Sequence, residues 1–155
     1  MTLNIPPAYL TFREKQVIQG LAEGLTDRVI AKSLNRKPST VRHYIGTAQK
    51  KVGATGRASL VNSVYDLGLL RLNVHEHRSA DVPQQERELI PLLARSLTIR
   101  QMADETRRTP SQVARSIGQL MEILDARTRA HLMTRARQHG LLKTTPRPST
   151  PAVLT

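Results

Sequence analysis

Apolar residues recur three and four apart along much of the chain, the spacing that lines one face of an α-helix. Val17, Ile18, Leu21 and Ala22 make the first such stripe. Thr11 stands before it as an N-cap, and Glu14 three residues on completes a capping box. Gly24 stops this helix. Thr26 caps a short second helix bearing Val29, Ile30 and Leu34, and Asn35 suits the left-handed backbone of a tight turn. Pro38 opens a third helix, with Val41, Ile45, Ala48 and Val52 on one face. A fourth, from about Arg57, carries Leu60, Val61, Val64 and Leu67 and ends at Gly68.

The pattern then returns. Residues 10–70 slide onto 82–142 without a gap, at the offset that carries Glu14 to Glu86. Leu21-Ala22 falls on Leu93-Ala94, Pro38-Ser39 on Pro110-Ser111, Ile45-Gly46 on Ile117-Gly118, and Arg57-Ala58 on Arg129-Ala130. Two copies are too few for a solenoid and point to a duplicated domain. The expected fold is all-α: two tandem four-helix helix-turn-helix domains forming a pseudo-dimer. The second copy departs in places. Pro91 falls inside its first helix, where it lacks an N–H and crowds the carbonyl of Arg87, so a kink or break is expected there. Thr98 caps its second helix, and Thr109-Pro110 is a better start for its third than Lys37-Pro38. Ile117, Leu120 and Leu124, then Leu132 and Met133, line its core face. The organisation expected is a lead at 1–9, domain 1 at 10–70, a linker at 71–81, domain 2 at 82–142, and a disordered Pro/Thr-rich tail at 143–155.

Composition narrows the class. Units of this size sit near the lower limit for an independent core, so packing of one on the other helps each. Aromatics are only 3% of the chain and Trp is absent, leaving Leu, Ile, Val, Ala and Met to build the interior. Zero cysteines removes disulfides, thiolate zinc sites and thiol catalysis. No apolar run reaches the length of a membrane span and no signal peptide precedes the first helix, so a cytoplasmic protein is expected. The net charge of +12 is a strong argument for a polyanionic partner. It is spread over both copies, each with ten basic residues, against four acidic residues in the first and six in the second. No catalytic constellation is evident, so no enzyme and no cofactor are expected. The five histidines are dispersed; His75 and His77 form the one close pair and read as linker rather than metal ligands.

Leu10-Thr11, Arg13-Glu14, Gly24-Leu25, Ile30-Ala31, Leu34, Thr40-Val41, Lys51-Val52-Gly53, Arg57-Ala58, Leu60 and Gly68-Leu69 together resemble the DNA-binding domain of the LuxR/GerE family. The resemblance covers residues 10–70; that of 82–142 rests largely on its match to the first copy. It implies a bacterial transcription regulator whose third helix enters the major groove of double-stranded DNA. The residue chemistry agrees, since a recognition helix presents its N-terminal side chains to base edges. Here those are Ser39, Thr40, Arg42 and His43, with Val41 pointing inward. Lys50, Lys51 and Arg57 suit phosphate, as does Arg13. In the second copy Gln112 and Arg115 remain capable base readers and Arg129 keeps the Arg57 position. Glu122-Ile123 replaces Lys50-Lys51, and Arg107, Arg108 and Arg127 stand as substitute cations.

Family members usually carry an N-terminal receiver or ligand-binding domain. Only nine residues precede the first helix here, so control is expected from abundance, a partner or another chain. The rival reading is a protein-interaction module. The family's fourth helix commonly dimerises, so Leu60, Val61, Val64, Tyr65 and Met133 serve either packing between the copies or capture of a partner. That partner would be another LuxR-type regulator, with this chain as anti-activator, or RNA polymerase. Arg135 and Arg137 count against fourth-helix packing between the copies. RNA is disfavoured because the sparse aromatics offer no base-stacking platform.

Overall fold

The computed structural model describes residues 10–72 and 80–142. The N-terminal lead, the linker apart from its ends, His75, His77 and the Pro/Thr-rich tail therefore lie outside the described residues. Within them the chain is helical and contains no strand. The order is α1 (Phe12–Ala22), α2 (Asp27–Ser33), α3 (Pro38–Val52), α4 (Arg57–Asp66), α5 (Gln84–Arg87), α6 (Leu89–Ala94), α7 (Ile99–Thr106), α8 (Pro110–Ile123) and α9 (Arg129–Gln138).

Local chemistry sets most of the boundaries. The Thr11 hydroxyl accepts the Glu14 N–H at 3.1 Å, and the Glu14 carboxylate accepts the Thr11 N–H at 2.8 Å. Thr26 caps α2 by accepting from Val29, and Thr98 and Gln101 form a capping box on α7. α3 starts at Pro38 with no side-chain cap, whereas Thr109 and Gln112 cap α8 reciprocally. Pro91 has the expected effect: α5 and α6 are separate helices with their break at Glu88. Left-handed backbone occurs at Gly24, Asn35, Gly53 and Gly68, and again at Ser96, Arg107, Asp125 and Gly140. The second set lies at the Glu14-to-Glu86 offset from the first, even though three of its members have a side chain.

One continuous apolar core runs through the described residues. Val17, Ile18 and Leu21 of α1 meet Val41 and Ile45 of α3, with Leu60, Val61 and Val64 of α4. Leu89, Ile90 and Leu93 of α6, Met102 of α7, Val113, Ile117 and Leu120 of α8, and Leu132 and Met133 of α9 fill the other half. Val29, read from its spacing as a core residue, is 48% exposed, because the narrow buried edge of the seven-residue α2 has room only for Ile30 and Ala31.

The halves meet along α4 and α9, flanked by α1 against α9 and by α6 against α4. Leu60, Val61, Val64, Tyr65 and Met133 are all buried. The Tyr65 hydroxyl lies 3.0 Å from that of Thr134. Arg137, which the sequence counted against packing here, is instead part of it. Its side chain is 4% exposed, and Nη2 donates to Asp66 and to the Asn62 amide oxygen at 2.6 Å each. Its guanidinium carbon stands 5.3 Å from the centre of the Tyr65 ring. At one end of the seam Ser96 Oγ accepts the Ser59 N–H and donates to Ser59 Oγ, both at 2.9 Å. At the other the His131 ring lies on Gly24, whose φ is +82° and where an added Cβ would sit 2.7 Å from Nδ1. Desolvation, with Arg135 and Arg127 nearby, holds the His131 pKa below its ordinary value, so the ring is neutral at pH 7.

Candidate nucleic-acid interface

The helix pair α2–α3 presents the first half of α3 to solvent. Pro38 fixes the entry, Val41 is wholly buried, and Ser39, Arg42 and His43 are exposed beside a half-buried Thr40. This brings the four expected base readers to one helix end. Lys50 is exposed near the far end of α3, and Arg13 lies half-buried on α1 with Nη1 3.2 Å from the Gln16 side-chain oxygen.

Two of the cations assigned to phosphate have structural partners. Lys51 Nζ is 2.6 Å from Glu14, a carboxylate only 2% exposed, which also accepts the Thr47 hydroxyl at 2.8 Å. Burial works to raise the Glu14 pKa, but hydrogen bonds from Lys51, Thr11 and Thr47 outweigh it and hold the carboxyl below its ordinary range. Lys51, expected at phosphate, has its ammonium on this buried acid. Arg57 makes a two-pronged pair with Asp27, Nη1 to Oδ1 at 2.6 Å and Nη2 to Oδ2 at 2.8 Å. That bond, against the cost of burial and with Coulombic help from Arg57 and Arg42, keeps the Asp27 pKa low. Arg42 touches the same carboxylate only at 4.0 Å and remains 58% exposed, so its fork is oriented but not consumed. Asp27 escaped the sequence reading as a site residue. Its one signal was an acid at the first position of α2, which local rules assign to the helix dipole.

Arg129 is exposed and shares with Arg57 and Arg42 the wall of an open cavity of about 500 Å3 at the seam. On α8, Arg115 is exposed, while the Gln112 side-chain oxygen accepts the Thr109 N–H at 2.9 Å and is in part spent on capping. Arg107 and Arg127 are exposed, but Arg108 donates to Ser116 Oγ at 3.3 Å and to the Gln85 carbonyl at 2.9 Å. Among the described residues no group of three potential ligands is placed to hold a metal ion, and no helix is long and apolar enough to cross a membrane.

Residues 8–64, which run from before α1 to Val64 of α4, match the family of bacterial regulatory proteins described as the luxR family. The spore germination protein GerE of Bacillus subtilis (strain 168) is 36% identical over 63 residues, which cover 41% of this chain and 85% of that protein. The chain belongs to the luxR family of bacterial regulatory proteins. No solved structure matches it significantly. The matched span of this luxR-family chain holds α2, α3 and the exposed end of α3, so family membership and surface chemistry fall on the same residues.

Proposed function

We propose that the protein is a transcription regulator that binds double-stranded DNA sequence-specifically, with Ser39, Thr40, Arg42 and His43 at base edges. The observation that carries this is the end of α3: a buried Val41 fixes the helix while three polar neighbours are bare, one of them an Arg braced by Asp27. Arg42 supplies a fork for guanine. Lys50, Arg13, Arg57 and Arg129 take phosphates. Arg57 gives up part of its bond to Asp27 to do so.

Residues 82–142 are in this reading a second domain of the same kind, which makes one chain the counterpart of a dimer. A twofold interface gives every contact a mate, with the partners exchanged. Gly24 against His131 becomes, on exchange at the Glu14-to-Glu86 offset, Ser96 against Ser59, and both contacts occur. Tyr65 to Thr134 becomes Arg137 to Asn62, and both occur. The recurring left-handed positions support the same register. Gln112 and Arg115 then read a second, unlike half-site. The partner-capture alternative is weakened because the apolar side chains it needs, from Leu60 to Met133, are buried against the chain itself.

The test is selection of bound sequences from a random duplex pool, followed by footprinting. The expected product is an asymmetric motif protected over about 20 base pairs, two half-sites one turn apart. Recovery of no motif refutes the DNA reading. An unchanged footprint in Gln112→Ala/Arg115→Ala refutes the second half-site alone.

A further inference from the structure

Glu86 is the counterpart of Glu14, and its surroundings have been stripped. Glu14 is held by the Thr11 N–H, the Thr47 hydroxyl and the Lys51 ammonium. The corresponding positions are Pro83, which has no N–H, Gln119 and Ile123. Glu86 is 5% exposed, and no hydrogen bond or ion pair holds it among the described residues. Its carboxylate oxygens are not sealed in the core, so the unpaired charge opens onto the space beside it. Beside it is a cavity of about 490 Å3 between α5, the α7–α8 turn and α8. Ser116 lies in its wall at the position of Tyr44, so the ring that occupies this place in the first half is missing. Arg107, Arg108 and Arg115 line the same cavity, and Arg107 and Arg115 are exposed there with no ion pair among the described residues.

We propose that this cavity binds a small zwitterion, an α-amino acid or a compound of that class. Its ammonium sits on Glu86 as Lys51 sits on Glu14, and its carboxylate lies on Arg115 and Arg107. The first half of the chain supplies the template for the ammonium: a contact of 2.6 Å to a buried carboxylate. The volume falls in the range of small-molecule pockets, and the lining is polar throughout, which suits a charged ligand rather than an apolar one. Because Gln112 and Arg115 also face this cavity, an occupant engages the side chains proposed to read the second half-site. The ligand site rests on the tandem reading, which supplies the Glu14–Lys51 template and the Tyr44–Ser116 correspondence.

The experiment is a thermal-shift and calorimetric screen of the full chain against each of the twenty common α-amino acids, with the N-acetylated form of each as control. One or more free amino acids should raise Tm by roughly 3–6 °C at about ten times Kd, and the N-acetyl form should not. Glu86→Gln should remove the response while keeping the Tm of the free protein. Ile123→Lys should also remove it, and should raise the Tm of the free protein by supplying the ammonium internally. Ser116→Tyr should fill the cavity with the same loss of binding. A screen without response overturns the proposal, as does a response that survives Glu86→Gln. Inorganic phosphate giving the same shift, lost in Arg115→Ala but kept in Glu86→Gln, means an anion site only and overturns it too. A chain that binds an amino acid but enriches no DNA sequence leaves this site standing while the DNA reading falls.

Discussion

Replacing Arg137 with Ala removes a buried charged group from the α4–α9 seam. Three losses follow. The guanidinium gives up charge-assisted hydrogen bonds to Asp66 and Asn62, and such bonds contribute about 1.5–3 kcal/mol. Its place beside the Tyr65 ring contributes about 0.5–1 kcal/mol more. Asp66 is left without its partner, and breaking a fully buried pair costs about 3–5 kcal/mol. Here Asp66 is 31% exposed, so water rehydrates the carboxylate and the upper figure does not apply. The net expectation is a loss of about 2–4 kcal/mol. In a chain of this size that lowers Tm by roughly 5–15 °C. Urea unfolding followed by far-ultraviolet circular dichroism measures it, with Arg135→Ala as the control. Arg135 donates to the Leu124 carbonyl, within the second half, so its removal leaves the seam intact. The parent and Arg135→Ala should unfold in one transition, whereas Arg137→Ala should broaden or split it as the halves uncouple. A double cycle with Asp66→Ala isolates the pair. Arg137→Ala within about 0.5 kcal/mol of the parent, or strict additivity in the cycle, would refute the claim that this ion pair fastens the halves.

Other outcomes are expected from the same coordinates. Arg42→Ala should weaken binding to the selected sequence by about 1–3 kcal/mol and relax its preference, while Lys50→Ala should weaken all sequences alike and reduce the salt slope by about one, both read by anisotropy titration. Lys51→Met should leave that slope nearly unchanged and instead destabilise the fold by about 1–3 kcal/mol at neutral pH, discounted because Lys51 is itself about a third exposed. Since the folded pKa of Glu14 lies below its ordinary value, its contribution is present above that value and lost as the pH falls through the folded pKa; a Glu14→Gln variant should flatten the acid limb of a stability–pH curve. His131 is also depressed, so stability should decline as the pH drops below its ordinary value near 6.5, and His131→Gln should reduce that decline. Gly24→Ala should cost about 1–3 kcal/mol, because the residue has positive φ and the His131 ring leaves no room for a methyl group.

What the sequence made legible was local. The Thr11–Glu14 box, the Thr26 and Thr98 caps, the Pro38 entry, the turn at Asn35 and the break caused by Pro91 each depend on residues within four positions of one another. The exposed end of α3 was legible for the same reason, since Val41 and its polar neighbours fall on opposite sides of one helix. What escaped was decided by chain segments far apart. Lys51 meets Glu14 across 37 residues and Arg57 meets Asp27 across 30. Arg137 reaches Asn62 across 75. A charged residue on a helix face reads as solvated until the partner that desolvates it is known, which is why Arg137 was counted on the wrong side. Glu86 was half visible: the replacements around it are in the sequence, but that the residue is buried with no partner beside it shows only in the fold.

The two ends of the seam are unlike. His131 rests on Gly24 at one, and a pair of serine hydroxyls closes the other. In an association of two identical chains, a change at one end is copied to the other, so any substitution must be tolerated twice and against itself. Within a single polypeptide that coupling is absent, and each end is free to adopt a fit that its opposite could not accept. Two first halves brought together would set Asn62 against Tyr65 twice and leave both Asp66 carboxylates without an arginine. If the proposed tandem reading holds, the chain would resist pairing with copies of its own first half, and its sites on DNA would be released from the need to be palindromes.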